Sequence, residues 1–534
     1  MMQVMIPALR MALDDTDECF RTATARQLGV DVGDLGAVRV LRRAVDARKK
    51  GDVFFSVHTL VDLTPRAARR VLGDKKLHAQ AWQVAEETPL RHGDRNLSGR
   101  VVVVGMGPGG LFAGWLLARE GYRPLVIDRG REMDERVRDV EQYWLTGRAD
   151  PESNPLFGEG GAGTFSDGKL TARSKDPRCS TVLDAFIAAG APEEIGVLSK
   201  PHVGTDRLRQ VVKNLRKEIV ARGGEVRFST KLEAIHREDG QLKAVTLVHD
   251  GAPERIDCGA LVLAIGQGAR DTYRYLFDSG FAMAPKPFAV GVRAEHPQSL
   301  IDESQYGPFA GHPKLGAADY KLTAQAAGRG VYSFCMCPGG FVVASGAGSG
   351  EMVVNGMSNY DRAGKNANAA LVVQVFPEDF GKGALDGMAF QQRLEQAAWD
   401  LGGGEGMAPA CRLEDFMAGR KTLRFGSVMP TFRPGVTGAD LSLCLPSFVT
   451  EGLREAFVTF ARQIKGFDMP DAVLTAVESR TSAPVRILRD ESMQSLTHRG
   501  VYPVGEGAGY AGGIVSSAVD GLRAAEAIIS QFRP

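Results

Sequence analysis

The sequence predicts an α/β protein built around a parallel sheet, and three observations support this fold class. From Arg100 the continuous apolar strand VVVVG is followed by a helical stretch, LFAGWLLAREG, and by a second strand, YRPLVID. The run LVLAIG at residues 261–266 has the uninterrupted apolar character of a strand that is covered on both faces. Residues 500–534 return to a strand, a glycine loop and a helix. Alternating strands and helices of this kind indicate a parallel sheet with helices packed against it.

Length and pattern divide the 534 residues into four segments. Residues 1–95 have the pattern of a small α+β module that ends in the apolar-poor linker PLRHGDRNLSGR. Residues 96–285 hold the first part of the parallel sheet, and residues 481–534 supply its last part. Residues 286–480, between them, are rich in strand-like segments and carry one clear helix, MAFQQRLEQAAWDLG. We therefore expect a sheet domain that is split by a β-rich α+β middle domain and preceded by a small α+β domain.

Composition excludes several classes of protein. Sixty-five lysines and arginines against 64 aspartates and glutamates leave a net charge of +1, so no chain-wide basic field recruits nucleic acid. The seven cysteines contain no CxxC pair, which argues against a disulfide framework and a structural zinc site, and we expect no metal. The sequence shows neither a secretory signal nor a long uncharged apolar run. We expect a cytoplasmic protein without membrane contact.

The segment GMGPGG carries the functional argument, because it places Gly105, Gly107 and Gly110 in the GxGxxG spacing of dinucleotide-binding turns. The same spacing recurs after residues 158 and 507, but only the first copy lies between a buried strand and a helix and is followed by a second strand. Asp128 ends that second strand 23 residues after Gly105, where a carboxylate accepts from ribose hydroxyls. The alternative is an ordinary α/β turn with a solvated Asp128. The full context favours a dinucleotide site on a Rossmann-like domain.

Two further glycine-rich segments indicate which dinucleotide binds. The loop FGEGGAGTFSDGKL at residues 157–170 can bring several backbone amides against a flavin or its phosphates, although a flexible surface loop is the alternative. The C-terminal segment VYPVGEGAGYAGGI contains Glu506, which can accept a hydrogen bond from a ribityl hydroxyl. The helix that begins near Gly513 would direct its positive end at the flavin ring.

These three segments together resemble the flavoproteins with two dinucleotide-binding domains, which hold FAD by an N-terminal fingerprint and a C-terminal GD or GE motif. Gly505 and Glu506 look like the GE variant, and Ala264 and Gly266 look like the small-residue strand end that borders the cofactor. The chain is more closely similar to a bacterial family of predicted FAD-dependent dehydrogenases with an extra N-terminal domain. The matching stretches are LRRAVDARKK, GEGGAGTFSDGKLTAR, PFAVGVRAEHP, FCMCPGG, NGMSNYDRAGKNANAALVV, ESRTSAPVRI and YPVGEGAGYAGGI.

This resemblance covers nearly the whole chain from about residue 38, with one departure. The sequence has Gln267–Gly268 where the family pattern has a His-Ser pair, which puts any role of that imidazole in doubt here. The resemblance implies bound FAD and the following cofactor-binding residues: Gly105, Gly107, Pro108, Gly109, Gly110, Asp128, Arg129, Gly160, Gly161, Gly163, Ser166, Asp167, Lys169, Ala264, Gly266, Gly505, Glu506, Gly512, Gly513 and Ile514.

The expected function is that of an FAD-dependent oxidoreductase, a dehydrogenase or reductase that transfers a hydride or electrons between FAD and a small organic substrate. Only one fingerprint has the full context, so a dedicated NAD(P)H domain is not evident. NAD(P)H as a transient electron donor would bind in the middle domain or at the flavin face. The polar loop at residues 355–368 suits a polar or anionic substrate, or the nicotinamide, with a hydrated loop as the alternative.

Candidate catalytic residues lie in the middle domain. Arg480, shortly before the C-terminal FAD motif, is the candidate cation over the substrate pocket. Cys335 and Cys337 share one face of a predicted strand, where a thiolate could face the flavin; two small buried residues are the alternative.

His296 is the candidate proton-transfer residue in the stretch PFAVGVRAEHP. Strand alternation puts Arg293 and Glu295 on the opposite face from His296, and a surface ion pair between these two is the alternative reading.

The N-terminal module carries a local excess of positive charge, with 11 lysines and arginines against 4 acids between Arg39 and Lys76. A flavin-dependent nucleic-acid-modifying or RNA-binding protein would explain it, with Arg42, Arg43, Lys49 and Lys50 as contacts. No known nucleic-acid motif accompanies these residues, so a solvated face is the reading we favour, and RNA binding stays open as the alternative function.

Overall fold

The structure is a computed structural model that describes residues 1–83, 89–172, 174–348 and 350–534. The N-terminal domain is a four-stranded antiparallel sheet in the order β2-β3-β1-β4, with two helices packed on it. Both helices begin at a threonine whose hydroxyl accepts from a backbone amide of the first turn, Thr16 for α1 and Thr64 for α2. Its elements are β1 Met2–Met11, α1 Asp17–Leu28, β2 Leu35–Asp46, β3 Phe54–Leu63, α2 Pro65–Gly73 and β4 Gln80–Ala81.

This domain is fixed to the rest of the chain by specific contacts. The backbone of Arg43 exchanges hydrogen bonds with residues 197 and 199, and the Arg42 guanidinium donates to the Ser199 hydroxyl at 2.8 Å. The Arg43 guanidinium lies 5.3 Å from the centre of the Phe55 ring. Two of the four cations considered for RNA binding therefore contact the protein itself.

The second sheet has the order β7-β6-β5-β10-β9-β8, and its strands β5, β6, β7 and β10 run parallel. Strands β8, β9 and β10 form an antiparallel meander. Every residue of Val101–Val103 is fully buried, as expected for a strand covered on both faces. The elements are β5 Arg100–Val104, α3 Pro108–Arg119, β6 Leu125–Ile127, α4 Met133–Thr146, α5 Arg178–Ala188, α6 Gly204–Ala221, β7 Glu225–Arg227, β8 Thr230–Glu238, β9 Gln241–His249, β10 Ala252–Leu263 and α7 Arg270–Asp278.

The middle domain is a mixed seven-stranded sheet in the order β13-β14-β17-β12-β20-β18-β19. The helix expected from the sequence is α10, and a second long helix, α12, buries Leu453, Phe457 and Phe460 against this sheet. The elements are β11 Met283–Pro285, β12 Phe288–Pro297, α8 Gln298–Tyr306, β13 Thr323–Ala326, β14 Arg329–Cys337, β15 Phe341–Ala344, β16 Val354–Met357, β17 Asn366–Val375, α9 Pro377–Phe380, α10 Asp386–Gly402, β18 Ala408–Arg412, α11 Leu413–Ala418, β19 Val436–Gly438, α12 Ser447–Gln463 and β20 Val473–Glu478.

The C-terminal segment returns to the parallel sheet. It consists of β21 Val485–Ile487, which pairs with β11, β22 Val501–Pro503, which runs parallel to β10, and α13 Ile514–Ile529. Helix α13 lies directly on α3, since a Cβ added at Gly521 would be 1.9 Å from the Gly109 carbonyl oxygen. The fold is therefore α/β, with a Rossmann-like sheet whose strands come from both sides of the middle domain. In the ranges that the structure describes, no helix is both long enough and apolar enough to cross a membrane.

Candidate cofactor and substrate site

A cavity of about 1110 Å³ lies between the carboxyl ends of the parallel strands and the middle-domain sheet. Ligands of open α/β sheets bind at this edge. All predicted cofactor residues line the cavity except Gly110 and Gly160, which pack behind it. The predicted catalytic residues Arg480, Cys335 and Cys337 line it from the middle domain, and His296 does not.

The fingerprint turn brings the backbone of β5 and α3 to the cavity. Gly105 has a φ of +97°, and a Cβ there would lie 2.3 Å from the Ala264 carbonyl oxygen. A Cβ at Gly110 would lie 1.8 Å from the Gly105 carbonyl oxygen, so only glycine allows α3 to pack this closely on the strand. Helix α3 begins at Pro108, and the amides of its first turn have no intrahelical acceptor. The turn therefore presents free N–H groups and the positive end of a helix to a diphosphate.

Asp128 holds three loops of the site together. Its carboxylate accepts from the backbone amides of Met106 at 2.8 Å, Gly130 at 2.9 Å and Gly158 at 2.8 Å. The residue is 6% exposed and lines the cavity. A carboxylate offers about four acceptor positions, so one remains for a ribose hydroxyl. Sequence spacing predicted the ribose contact but not this bracing of the loops.

The second glycine loop packs against the fingerprint. A Cβ at Gly161 would lie 2.8 Å from the Gly107 Cα, and one at Gly160 would lie 2.2 Å from the Thr164 hydroxyl. Behind the loop, the fully buried Arg136 donates to the carbonyl oxygens of Asn154 at 3.0 Å and Glu159 at 2.6 Å. Burial lowers the pKa of Arg136 to about 10. This support could have been recognised in the sequence, because Arg136 lies on the buried face of α4, between Met133 and Val140.

The C-terminal turn is braced by an ion pair that sequence reasoning missed. The amide of Gly505 donates a hydrogen bond to Asp520 at 2.7 Å. The Asp520 carboxylate also accepts hydrogen bonds from both terminal nitrogens of Arg489, at 2.7 and 2.8 Å. Next to it, burial raises the pKa of Glu506 to about 7, and the nearby Lys286 ammonium only partly offsets this. Helix α13 begins at Ile514 with Gly513 as its N-cap, so a second helix N-terminus faces the cavity.

Arg480 belongs to a buried charge network. Glu395 accepts from Arg480 at 2.8 Å and from Arg270 at 2.8 Å, and Glu351 accepts from both guanidiniums at the same distance. Burial alone would raise the pKa of Glu395, but the two guanidiniums lower it to about 2. The network joins α7, α10 and the segment after β20, and the Arg480 charge is compensated within it. The missed signal was Glu395 on the buried face of α10.

The cysteine-containing strand is irregular. Its pairing with β17 shifts register between Phe334 and Cys337, and Cys335 has a φ of +41°, so the regular strand expected from the sequence is wrong at this point. Cys335 is exposed to the cavity and Cys337 is buried. Desolvation raises the pKa of the buried Cys337 to about 11, so this residue is a neutral thiol near pH 7.

His296 lies away from the cavity, on the core side of the middle sheet. Its ring stacks on Phe467 with centroids 4.2 Å apart, its Nε2 is 2.8 Å from the Phe467 carbonyl oxygen, and burial lowers its pKa to about 4. Arg293 and Glu295 are also fully buried, and they do not form the surface ion pair offered as the alternative. Arg293 pairs with Glu478, whereas Glu295 accepts from Thr431 and Asn366. A proton-transfer role for His296 thus has no geometric support, because His296 does not line the cavity.

Known proteins are similar to this chain over different parts of its length. Residues 287–481 match the family described as FAD-dependent protein, C-terminal domain-like, and residues 2–62 match a domain family of unknown function. Over 536 aligned residues the chain is 48% identical to an uncharacterised protein of Clostridium beijerinckii, covering 99% of both chains. The chain belongs to this family of FAD-dependent proteins. The resemblance seen in the sequence is confirmed.

Two solved structures are similar to most of the chain at low sequence identity. A triple mutant of the flavin-dependent brominase Bmp2 is 13% identical, with a TM-score of 0.36, over 80% of this chain and 79% of that one. A geranylgeranyl bacteriochlorophyll reductase-like protein of Thermoplasma acidophilum is 12% identical, with a TM-score of 0.32, over 80% of this chain and 77% of that one.

Proposed function

We propose that this FAD-dependent protein is an oxidoreductase, a dehydrogenase or reductase that transfers a hydride or electrons between a small organic substrate and bound FAD. The observation that carries this proposal is the single cavity wall made by the fingerprint, the second glycine loop and the C-terminal turn, with the middle domain opposite. Catalysis on such a cavity needs a cofactor at one wall and a substrate at the other. We propose a cytoplasmic location for the reaction.

The residues of the sheet domain fit FAD. The amides at the start of α3 suit the diphosphate, the positive end of α13 suits the flavin ring, and the remaining acceptor position of Asp128 suits a ribose hydroxyl. The glycine cradle supports the same assignment, since side chains at Gly105 or Gly161 would collide with neighbouring backbone. FAD bound here supplies the redox chemistry, and the protein supplies orientation and charge.

The middle domain supplies the other wall, through Tyr332, Phe334, Met336 and the residues around them. Their aromatic and apolar surface would keep water away from the reacting atoms. NAD(P)H remains a candidate donor, and its nicotinamide would have to enter this same space because no second fingerprint with full context exists in the sequence.

The test is an anaerobic absorbance spectrum of the purified protein before and after stoichiometric NADH or NADPH. Rapid bleaching of a flavin spectrum by one nucleotide supports a reductase and identifies the donor. A flavin that is bleached only by an organic substrate supports a dehydrogenase. Purified protein without flavin, and with none taken up from added FAD, would refute the proposal.

A further inference from the structure

Two lysines line the cavity beside strand β14: Lys321 comes from the middle domain and Lys169 from the second glycine loop. We propose that this part of the cavity wall binds the carboxylate group of the substrate, so that the enzyme acts on an organic acid with an aromatic or apolar body. This inference rests on the proposed function and names the substrate class of the same site.

The acids near this wall are already neutralised. The Asp167 carboxylate accepts from Arg362 at 3.1 Å, and Glu478 accepts from the buried Arg293 at 3.0 Å. Asp319 lies 2.7 Å from the Lys200 ammonium, and the pKa of Asp319 is lowered by that lysine, with smaller contributions from Lys169 and Arg362. Each acid thus has its own cation: Asp167 has Arg362, Asp319 has Lys200 and Glu478 has Arg293.

Lys169 and Lys321 leave an excess of positive charge here, because Lys169 has only a share of Asp167, which is also paired with Arg362. The Lys169 ammonium donates to the Met336 carbonyl oxygen and lies 3.8 Å from Asp167, beyond hydrogen-bond distance. An ammonium has three donors, so two are free to meet a ligand. Lys321 lines the cavity, is exposed, and forms no ion pair within the part of the chain that the structure describes. An anionic ligand would balance this excess charge.

Both lysines lie beside strand β14. Leu322, next to Lys321, is hydrogen-bonded to Ser333, and Lys169 contacts Met336 three residues along the strand. Phe334 and Cys335 lie between the two positions and face the cavity. The wall therefore offers a fixed cation, an aromatic surface and a second cation.

Lys169 also adjoins the cofactor wall. It belongs to the second glycine loop, in which a Cβ at Gly163 would lie 3.1 Å from the Ile514 side chain at the start of α13. A carboxylate held by Lys169 would thus place the body of the acid between β14 and the start of α13. This arrangement orients the substrate and leaves the redox chemistry to FAD.

The experiment titrates the FAD-loaded protein with benzoate and follows the flavin absorbance, with benzamide as the neutral analogue of the same shape. We expect saturable binding of benzoate, at least 10-fold weaker binding of benzamide, and weaker benzoate binding at high salt, because the contact is charge-assisted.

Variants locate the contact on the wall. Lys169→Met is expected to weaken benzoate binding about 10-fold to 100-fold, Lys321→Met is expected to weaken it less, and Lys169→Arg is expected to retain it. Lys382→Met is the matched control, since Lys382 is exposed and does not line the cavity. Flavin content is measured for each variant, and Lys321→Met keeps the test open should Lys169→Met lose FAD.

Several results would overturn the proposal. Equal binding of benzoate and benzamide, no response to benzoate, or an unchanged dissociation constant in both lysine variants would each do so. NADPH binding that depends on both lysines, without any response to benzoate, would assign the cations to a phosphate instead. A wild-type protein without flavin would overturn the proposed function itself, and the absorbance spectrum shows this before any titration.

Discussion

The two walls of the cavity are built in different ways. The sheet-domain wall is made of backbone from glycine turns, and its main braces are close in sequence, since Asp128 binds the amides of Met106 and Gly158 at separations of 22 and 30 residues. The middle-domain wall is braced from behind by charged side chains that are far apart in sequence. Arg270 and Glu395 are separated by 125 residues, and Arg293 and Glu478 by 185. The residues that brace the first wall lie at short sequence separations, whereas the residues that brace the second wall come together only after folding.

Two carboxyl groups differ in pKa in the way that this contrast predicts. Glu395 lies between two guanidiniums, which lower its pKa to about 2 against the effect of burial. Glu506 is partly buried at the cavity, where only Lys286 is near enough to offset the desolvation, and its pKa is raised to about 7. The same side chain is therefore a fixed anion in one wall and half neutral near pH 7 in the other.

The largest expected effect is that of Glu395→Gln. This change leaves Arg270 and Arg480 buried with only Glu351 to share, and loss of one partner from a buried ionic network costs about 3–5 kcal/mol. The free energy of unfolding from urea titration at pH 7 checks it. Because the pKa of Glu395 is lowered in the folded state, its contribution is present above about pH 4.5 and is lost as the pH falls toward about 2.

Glu238→Gln is the surface counterpart for this experiment. Glu238 is 75% exposed and lies 3.8 Å from Lys243, so its removal should cost less than about 1 kcal/mol. Similar losses in the two variants would mean that the buried network contributes no more than a surface pair. The distinction between the two walls would then not hold for stability.

The second-largest effect is expected for Glu506→Gln in the FAD-free protein, and this substitution should raise the free energy of unfolding instead of lowering it. The raised pKa means that the folded protein loses stability as the pH rises from about 4.5 through about 7, because a partly buried carboxylate must form. Glutamine removes this cost, so the variant should match the wild type near pH 4.5 and be more stable by about 3 kcal/mol at pH 8. Thermal unfolding at both pH values measures it.

Glu303→Gln serves as the exposed control for this pH series, and we expect no difference from the wild type at either pH. A Glu506→Gln variant that is less stable than the wild type at pH 8 would mean that the carboxylate is stabilised by contacts stronger than burial. Glu506 would then resemble Glu395, and the contrast between the two carboxyls would disappear.

The sequence predicted the walls unequally for the same physical reason. The fingerprint, the second loop and the C-terminal turn were found because each needs glycine at fixed spacing, and the chain places them together at one sheet edge. The partner of Arg480 was not found, because no local pattern links it to Glu395 on α10. The bulge in β14 was not predicted either, because strand alternation alone placed Cys335 and Cys337 on one face. A single buried charge on an otherwise apolar helix face, as at Arg136 and Glu395, was the usable signal.

The smallest expected change in stability, and the sharpest test of the glycine wall, is Gly110→Ala. Its methyl group would lie 1.8 Å from the Gly105 carbonyl oxygen, so α3 must move away from the strand. Overpacking of this kind costs about 1–3 kcal/mol, and the displaced helix start should lower the bound flavin, read from the ratio of flavin to protein absorbance. Gly73→Ala is the matched control, because no atom lies within 4 Å of the added Cβ and the residue ends α2 far from the cavity. If Gly110→Ala kept its full flavin content, the tight fingerprint turn would not be what holds the cofactor. Side chains of the sheet-domain wall would then have to hold it, and the two walls would both depend on side-chain contacts.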